Sequence, residues 1–275
     1  MAKLEPMLLT ETWDKQILSD ATKWFQIKEN GIRAIAHIKN GKIVGLRSRS
    51  DSPILYMFPE LKELTFPVQE AILDGELCVF KDGKSHFYGG IDKRRSAPTE
   101  RTLTDYPVSY VVFDAIKLNA DVLVAKPYSE RYSKLCELLC ERLVVGSTIF
   151  CIAKNYTDGL QLWNEVVEKD LEGVVVKSPS SFYELGVRSK SNLKLKNYKI
   201  TDVIVDSVEP NKAGTKIYGT APDGTKVECQ LGGVFNVEVG STQVIKYLDR
   251  VQTEAGVKYI QPTKTNREQL DGTKS

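Results

Sequence analysis

Asn40-Gly41, Asp82-Gly83 and Asp223-Gly224 each stand between short runs in which apolar and polar residues alternate. That combination constrains the fold more than any other feature of the chain. An Asn-Gly or Asp-Gly pair supplies the left-handed residues of a tight hairpin, so its flanking runs return antiparallel. WFQIK (24–28), IRAIAHI (32–38) and KIVGLRS (42–48) read as successive strands of one antiparallel sheet. PILYMFPELKEL (53–64) reads as a short helix interrupted near Pro59, after which EAILDGELCVF (70–80) and YPVSYVVFDAI (106–116) return to strand. Helical spacing predicts a helix over 129–143 with Ser129 as its N-cap. Thr157 likewise reads as the N-cap of a second helix, with Leu160, Trp163 and Val167 facing inward. LEGVVVKS (171–178) and SNLKLKNYK (191–199) read as strands. Past residue 200 only short β-rich runs remain, broken by Pro, Gly, Asn and Asp. The chain therefore divides into residues 1–199, of α+β character, and a small β-barrel over 200–275.

Scarce residues exclude several chemistries. Two histidines, His37 and His86, are too few and too far apart for a zincin or a histidine triad. Five cysteines at irregular spacing read as buried thiols in a reducing compartment. No run of about 18 apolar residues occurs, and the first residues mix acids into a short apolar stretch. Neither a membrane span nor a secretory signal is expected, which points to a soluble cytoplasmic protein. Gly83-Lys84-Ser85 looks like the end of a phosphate-binding loop, but Cys78 stands where the first glycine belongs, and a hairpin turn is the better reading.

The segment Lys28-Glu29-Asn30-Gly31-Ile32-Arg33 puts a lysine at a strand end, followed by a glycine that lets the chain approach a ligand closely. Alone it reads as a solvated hairpin. Along the chain it is followed by Arg47-Ser48-Arg49, Asp74-Gly75-Glu76, Tyr110 to Asp114, Glu172 to Lys177, and Lys194-Leu195-Lys196. This ordered series resembles the motif set of the covalent nucleotidyltransferases, the superfamily of ATP-dependent DNA ligases, RNA ligases and mRNA capping enzymes.

The resemblance implies a nucleotidyltransferase (ATP-grasp-like ligase) domain with antiparallel sheets and flanking helices over 1–199, followed by an OB-fold domain over 200–275. It implies Lys28 as the nucleophile that takes AMP from ATP. Gln26 would read the adenine edge where many relatives use Glu, and Phe113 would stack on the base. Arg33 would contact the ribose or the nick terminus, and Glu76 the ribose or a metal. Asp74, Glu76 and Glu172 are the acids matched to Mg²⁺ or Mn²⁺, hard ions that prefer oxygen. A lysine with its ordinary pKa of about 10.4 is protonated near neutrality. The resemblance makes Lys194 and Lys196, with the metal, the cations expected to lower that value and to neutralise phosphate oxygens.

From Gly186 to Lys199 stand five basic residues and no acid, and Lys93-Arg94-Arg95 form a second cluster, although the whole chain carries a charge of only +2. Local patches of this kind grip backbone phosphates. By the ligase resemblance, Arg47-Ser48-Arg49 is the motif in which one arginine, Arg49 ahead of Arg47, grips the 5′-phosphate of a nick, while Arg188 and Lys190 belong to the basic run. Lys264 and Arg267 stand in a degenerate counterpart of the last ligase motif. The β-rich end favours DNA sealing, with nicked duplex DNA and ATP as partners of a monomeric enzyme. The alternatives are an RNA ligase, a capping guanylyltransferase, or a catalytically inactive nucleic-acid-binding module. Nick binding is expected to weaken by roughly tens of fold between about 50 and 200 mM salt. A binding titration that shows equal affinity at both would contradict the patch reading.

Overall fold

The computed structural model describes residues 4–139, 142–212, 214–231, 233–254 and 256–265. They form two compact units, one of residues 1–12 and 16–195, the other of 13–15 and 196–275.

Two sheets build the first unit. The larger runs in the order Arg142–Val145, Thr148–Ile152, Ser109–Leu118, Glu70–Cys78, Ile32–Lys39 and Lys42–Ser48, with Asp121–Val122 beside Ser109–Leu118. The smaller runs Leu8–Glu11, Arg188–Lys196, Gly173–Lys177 and Trp24–Ile27. The Ile32–Lys39 and Lys42–Ser48 strands close through Asn40 and Gly41, at φ 50° and 71°, as the Asn-Gly pair requires. Two corrections follow from pairing that periodicity does not specify. Trp24–Ile27 leaves the sheet of Ile32–Lys39 and pairs with Gly173–Lys177 instead. The sheets are mixed, since Leu8–Glu11 runs parallel to Arg188–Lys196 and Thr148–Ile152 parallel to Ser109–Leu118. The second parallel pair needs a crossover, and the Tyr128–Leu138 helix lies within it.

That helix stops at Leu138, and Arg142–Val145 is a strand, so the helical expectation over 129–143 ran too long. Pro127 precedes it, and no side chain caps it. The next helix, Gly159–Glu168, is capped by Asp158, whose carboxylate accepts the Gln161 N–H at 2.8 Å. Leu162 and Val166 face inward, while Leu160 and Val167 are half exposed.

Each sheet has one apolar face and one chemical face. Ala34, Ala36, Leu73, Leu77, Tyr110, Val112 and Ala115 pack into the main core. On the smaller sheet Phe25, Val174, Val176 and Leu195 pack beneath the Gly159–Glu168 helix. Burial of one such aliphatic or aromatic side chain is worth about 1.5–3 kcal/mol, and the strict period of two then turns the alternate residues toward the cavity described below.

Several charged side chains are buried within the first unit, two of them arginines. Arg131 and Asp114, both essentially unexposed, form a bidentate pair at 2.7 and 2.8 Å, and Arg131 also donates to the Lys126 and Ser181 carbonyls. Arg94 donates to the Tyr106 and Met57 carbonyls and to Glu60. The expected Lys93–Arg95 surface cluster is therefore broken, with its middle member inside.

The second unit is a single seven-stranded sheet. Its order is Asp249–Thr253, Gly256–Ile260, Lys226–Leu231, Gly214–Thr220, Lys199–Asn211, Thr242–Tyr247 and Thr263–Lys264. Its core holds Val203, Val205, Ile217, Cys229, Leu231 and Ile245. No α-helix occurs among its described residues. No helix of the described chain is long and apolar enough to cross a membrane.

Arg131→Met strands Asp114 in the core. Denaturant unfolding is expected to lose about 3–5 kcal/mol of stability, and a loss below about 1 kcal/mol would show that the pair is not the buried anchor described.

Candidate active site

A cavity of about 570 Å³ opens between the two sheets of the first unit. Its size suits a nucleotide-scale ligand. Gln26, Val175, Lys177 and Lys194 reach it from the smaller sheet, and Arg33, Asp74, Glu76 and Phe113 from the larger.

Strand register places the central lysine. Ile27 pairs with Val174, and the Lys28 N–H donates to the Gly173 carbonyl at 2.9 Å, so Lys28 leaves its strand beside the segment that carries Glu172. Their side chains meet at 2.6 Å. Burial alone would push the Lys28 ammonium down, but the Glu172 and Glu76 carboxylates outweigh it and hold the group above the ordinary lysine value. The expected lowering by Lys194 and Lys196 is absent from this arrangement. Lys194 pairs with Glu11 at 3.5 Å, and Lys196 bonds Tyr198 and Gln261 within the second unit. Burial pushes Glu76 up to about 8 against the pull of Lys28 and Arg33.

Glycine is required beside this lysine by contact. A Cβ on Gly31 would lie 2.2 Å from the Leu77 carbonyl and 2.9 Å from Glu76 Cγ. The loop passes there into the Ile32–Lys39 strand, where Arg33 faces Glu76 in register. Two residues along the same face, Asp74 accepts Arg33 Nε at 2.9 Å and Nη2 at 2.5 Å, and Tyr183 donates to the same carboxylate at 2.6 Å. Both oxygens of Asp74 are thus used by protein donors, and Asp74 is fully buried.

A register shift in the pairing with Glu70–Cys78 sets the other wall. Val112 pairs with Gly75 and Asp114 with Asp74, which leaves Phe113 as an inserted residue. Phe113 and Asp114 consequently both face the cavity, while Val112 and Ala115 both face the core. Beside Phe113 lies Lys177, 3% exposed, with its Nζ 5.0 Å from the Phe113 ring centroid and 4.3 Å from that of Tyr128. Burial brings it down to about 8, with Asp114 pulling the other way. Gln26 Nε2 donates to the Tyr128 hydroxyl at 3.0 Å and to the Ala153 carbonyl at 3.3 Å. The carbonyl can only accept, so the amide is oriented and Oε1 is the atom left for a ligand.

Arg49 and Arg188 line the cavity with Ser48 and Ser50. Arg47 instead ties its own turn, donating to the Asp51 carbonyl at 2.8 Å and pairing with its carboxylate. Lys190 is exposed and outside the cavity lining. Lys264 belongs to the second unit, in register with Ile245, and Arg267 lies outside the described residues. Sequence reading gave no role to Asp114, Arg131 or Tyr183, and placed Lys177 only as the variable last position of the Glu172–Lys177 run. Asp114 and Lys177 were visible as members of their motifs, whereas Arg131 and Tyr183 gave no signal.

Among the described residues no three His, Cys, Asp or Glu side chains converge to hold a cation alone. Glu76 and Glu172, both facing Lys28, still suit a hard ion that keeps waters and shares phosphate oxygens. Asp74, with both oxygens engaged, does not.

The profile of the ATP dependent DNA ligase domain matches residues 6–196. The chain belongs to this family of ATP-dependent DNA ligases. It is 31% identical over 222 residues to the SPbeta prophage-derived DNA ligase-like protein LigB of Bacillus subtilis, across 81% of this chain and 77% of that protein. It is 33% identical over 181 residues to DNA ligase 1 of Methanosarcina mazei, across 59% of this chain but 30% of that longer protein. Its fold resembles the ligase domain of M. tuberculosis LigD, with a TM-score of 0.61 at 19% identity across 95% and 93% of the two chains. A structure of a Lig E DNA ligase gives 0.64 at 18% identity across 96% and 99%.

Glu172→Gln removes the leading attraction on the Lys28 ammonium, so its pKa falls and its neutral fraction at fixed pH rises. Acylation of Lys28 by an amine reagent, followed by peptide mass spectrometry, is expected to shift its pH profile downward. An unmoved profile would contradict the ion pair.

Proposed function

We propose that the chain seals nicks in duplex DNA through a lysyl-AMP intermediate. The observation that carries this reading is Lys28 Nζ held inside the cavity at 2.6 Å from Glu172, with oriented Gln26 and Phe113 on the cavity wall. In the first step the Lys28 lone pair forms an N–P bond to the α-phosphorus of ATP. The bond from that phosphorus to the bridging oxygen breaks, pyrophosphate leaves with the electron pair, and Lys28 gives up a proton. AMP then passes to the 5′-phosphate of the nick, which frees Lys28. Finally the 3′-hydroxyl attacks the activated phosphate and expels AMP.

Residue roles follow from placement. Phe113 stacks on the base, Gln26 Oε1 accepts from its amino group, and Lys177 closes the floor between them. Arg33, fixed by Asp74, addresses the ribose or the nick terminus. Lys194 addresses the phosphates, while Arg49 and Arg188 take the 5′-phosphate. Glu76 and Glu172 fit Mg²⁺ or Mn²⁺, which when bound withdraws charge from phosphate oxygens. These same two carboxylates set the cost of deprotonating Lys28, and whatever neutralises them lowers it. We read the second unit as an OB-fold domain, supported by its seven strands and all-β core; Lys196 and Lys264 are its candidate contacts. All lining side chains come from one chain, so a monomer suffices. Cys78, Cys151 and Cys229 are free thiols, in keeping with a reducing cytoplasm.

The test offers end-labelled nicked DNA, nicked RNA and a hybrid, each with ATP or GTP and Mg²⁺. Joined DNA with ATP, lost in Lys28→Ala by at least about 10³-fold, is expected. Joining confined to RNA, or dependence on GTP, would overturn the assignment.

A further inference from the structure

The hairpin of Phe80–Lys81 and Lys84–Ser85 belongs to neither large sheet and closes through Asp82 and Gly83 at φ 52° and 74°. Its Gly-Lys-Ser run does not face the cavity. Ser85 is buried, and its Oγ accepts the Asn30 N–H at 2.9 Å. Burial pushes the neighbouring Glu29 carboxyl up, and the Ser85 hydroxyl pulls it the other way. Both partners immediately follow Lys28 in the chain. One residue earlier on the hairpin, Lys84 Nζ reaches Asp170 Oδ2 at 2.8 Å. Asp170 adopts φ 53°, a left-handed turn two residues before Glu172. One small hairpin therefore holds both backbone segments whose side chains meet in the Lys28–Glu172 pair. Among the described residues it is joined to each by a polar side chain rather than by a shared strand.

We propose that Ser85 and Lys84 are positioning residues that set the geometry of Lys28 against Glu172. The proposal rests on Lys28 being the nucleophile. Ser85 is the stronger member, because its loss leaves the Asn30 N–H without its acceptor in a packed site. Lys84 and Asp170 are partly exposed, so their bond adds little to global stability. Its effect lies in where it holds the Asp170–Glu172 turn. Nucleophile placement is steeply rewarded, since a displacement of about 1 Å from the attacking position costs on the order of 10²-fold in rate.

The experiment measures single-turnover transfer of labelled AMP from ATP to the full chain, over a range of ATP concentrations with Mg²⁺. It compares wild type, Ser85→Ala, Ser85→Thr, Lys84→Met and the Ser85→Ala/Lys84→Met double variant. Ser85→Ala is expected to lower the maximal transfer rate about 10- to 100-fold, with the half-saturating ATP concentration moved less than about threefold. Ser85→Thr, which keeps the hydroxyl, restores most of the rate. Lys84→Met lowers it several-fold at an unchanged melting temperature, and this variant carries the test should Ser85→Ala fail to fold. A maximal rate at the wild-type value in Ser85→Ala and Lys84→Met overturns the proposal, as does an effect confined to half-saturation. Absence of any adduct in the wild type overturns the nucleophile reading and this proposal with it. Normal wild-type transfer with unaffected variants overturns this proposal alone.

Discussion

The antiparallel register between Trp24–Ile27 and Gly173–Lys177 is the constraint on which the site depends. It fixes Lys28 opposite Gly173 and so brings that lysine to Glu172 without a long side-chain search. A slip of one residue would turn Phe25 into the cavity and Gln26 into the core beneath the Gly159–Glu168 helix. The apolar face of the strand therefore pins the chemical face. Folding and function are linked here through one pairing, because the residues that bury Phe25, Val174 and Val176 are also those that aim Gln26, Val175 and Lys177.

Around this register the protein keeps charges in places where they are costly. Asp74 is buried against Arg33 and Tyr183, and Asp114 against Arg131. Replacing such pairs by apolar residues is often neutral or stabilising, so stability alone does not account for them. Each instead fixes a cavity residue: Asp74 holds the Arg33 guanidinium, and Asp114 steadies the inserted segment that presents Phe113. Lys28 is held protonated by carboxylates, and the nearby Glu76 carboxyl is pushed up to about 8 by burial. The site thus holds Lys28 against Glu172 in its charged form.

Much of this was legible in the sequence, and the remainder was hidden for physical reasons. The Asn40-Gly41 and Asp82-Gly83 hairpins are local, since backbone chirality at two residues dictates them. The order of motifs led to Lys28, Glu76 and Phe113, and the cavity brings these together. Which strand pairs with which is not local, so Trp24–Ile27 was put in the wrong sheet. The insertion at Phe113 is likewise invisible in Tyr110–Phe113, a continuous apolar run with no alternation to mark a shift. Charged residues read as solvated unless a partner is known, and the buried places of Arg94 and Arg131 were lost to that default. Gly83-Lys84-Ser85 failed as a phosphate loop, yet its lysine and serine both make contacts beside the reactive pair.

The central claim is that register and carboxylates together make Lys28 the one side chain that accepts a nucleotide. Intact-mass analysis after incubation with ATP and Mg²⁺, followed by peptide mapping, addresses it directly. The account predicts a gain of one AMP residue, acid-labile as a phosphoramidate and located on Lys28. An unmodified protein, or AMP on another residue, would contradict it.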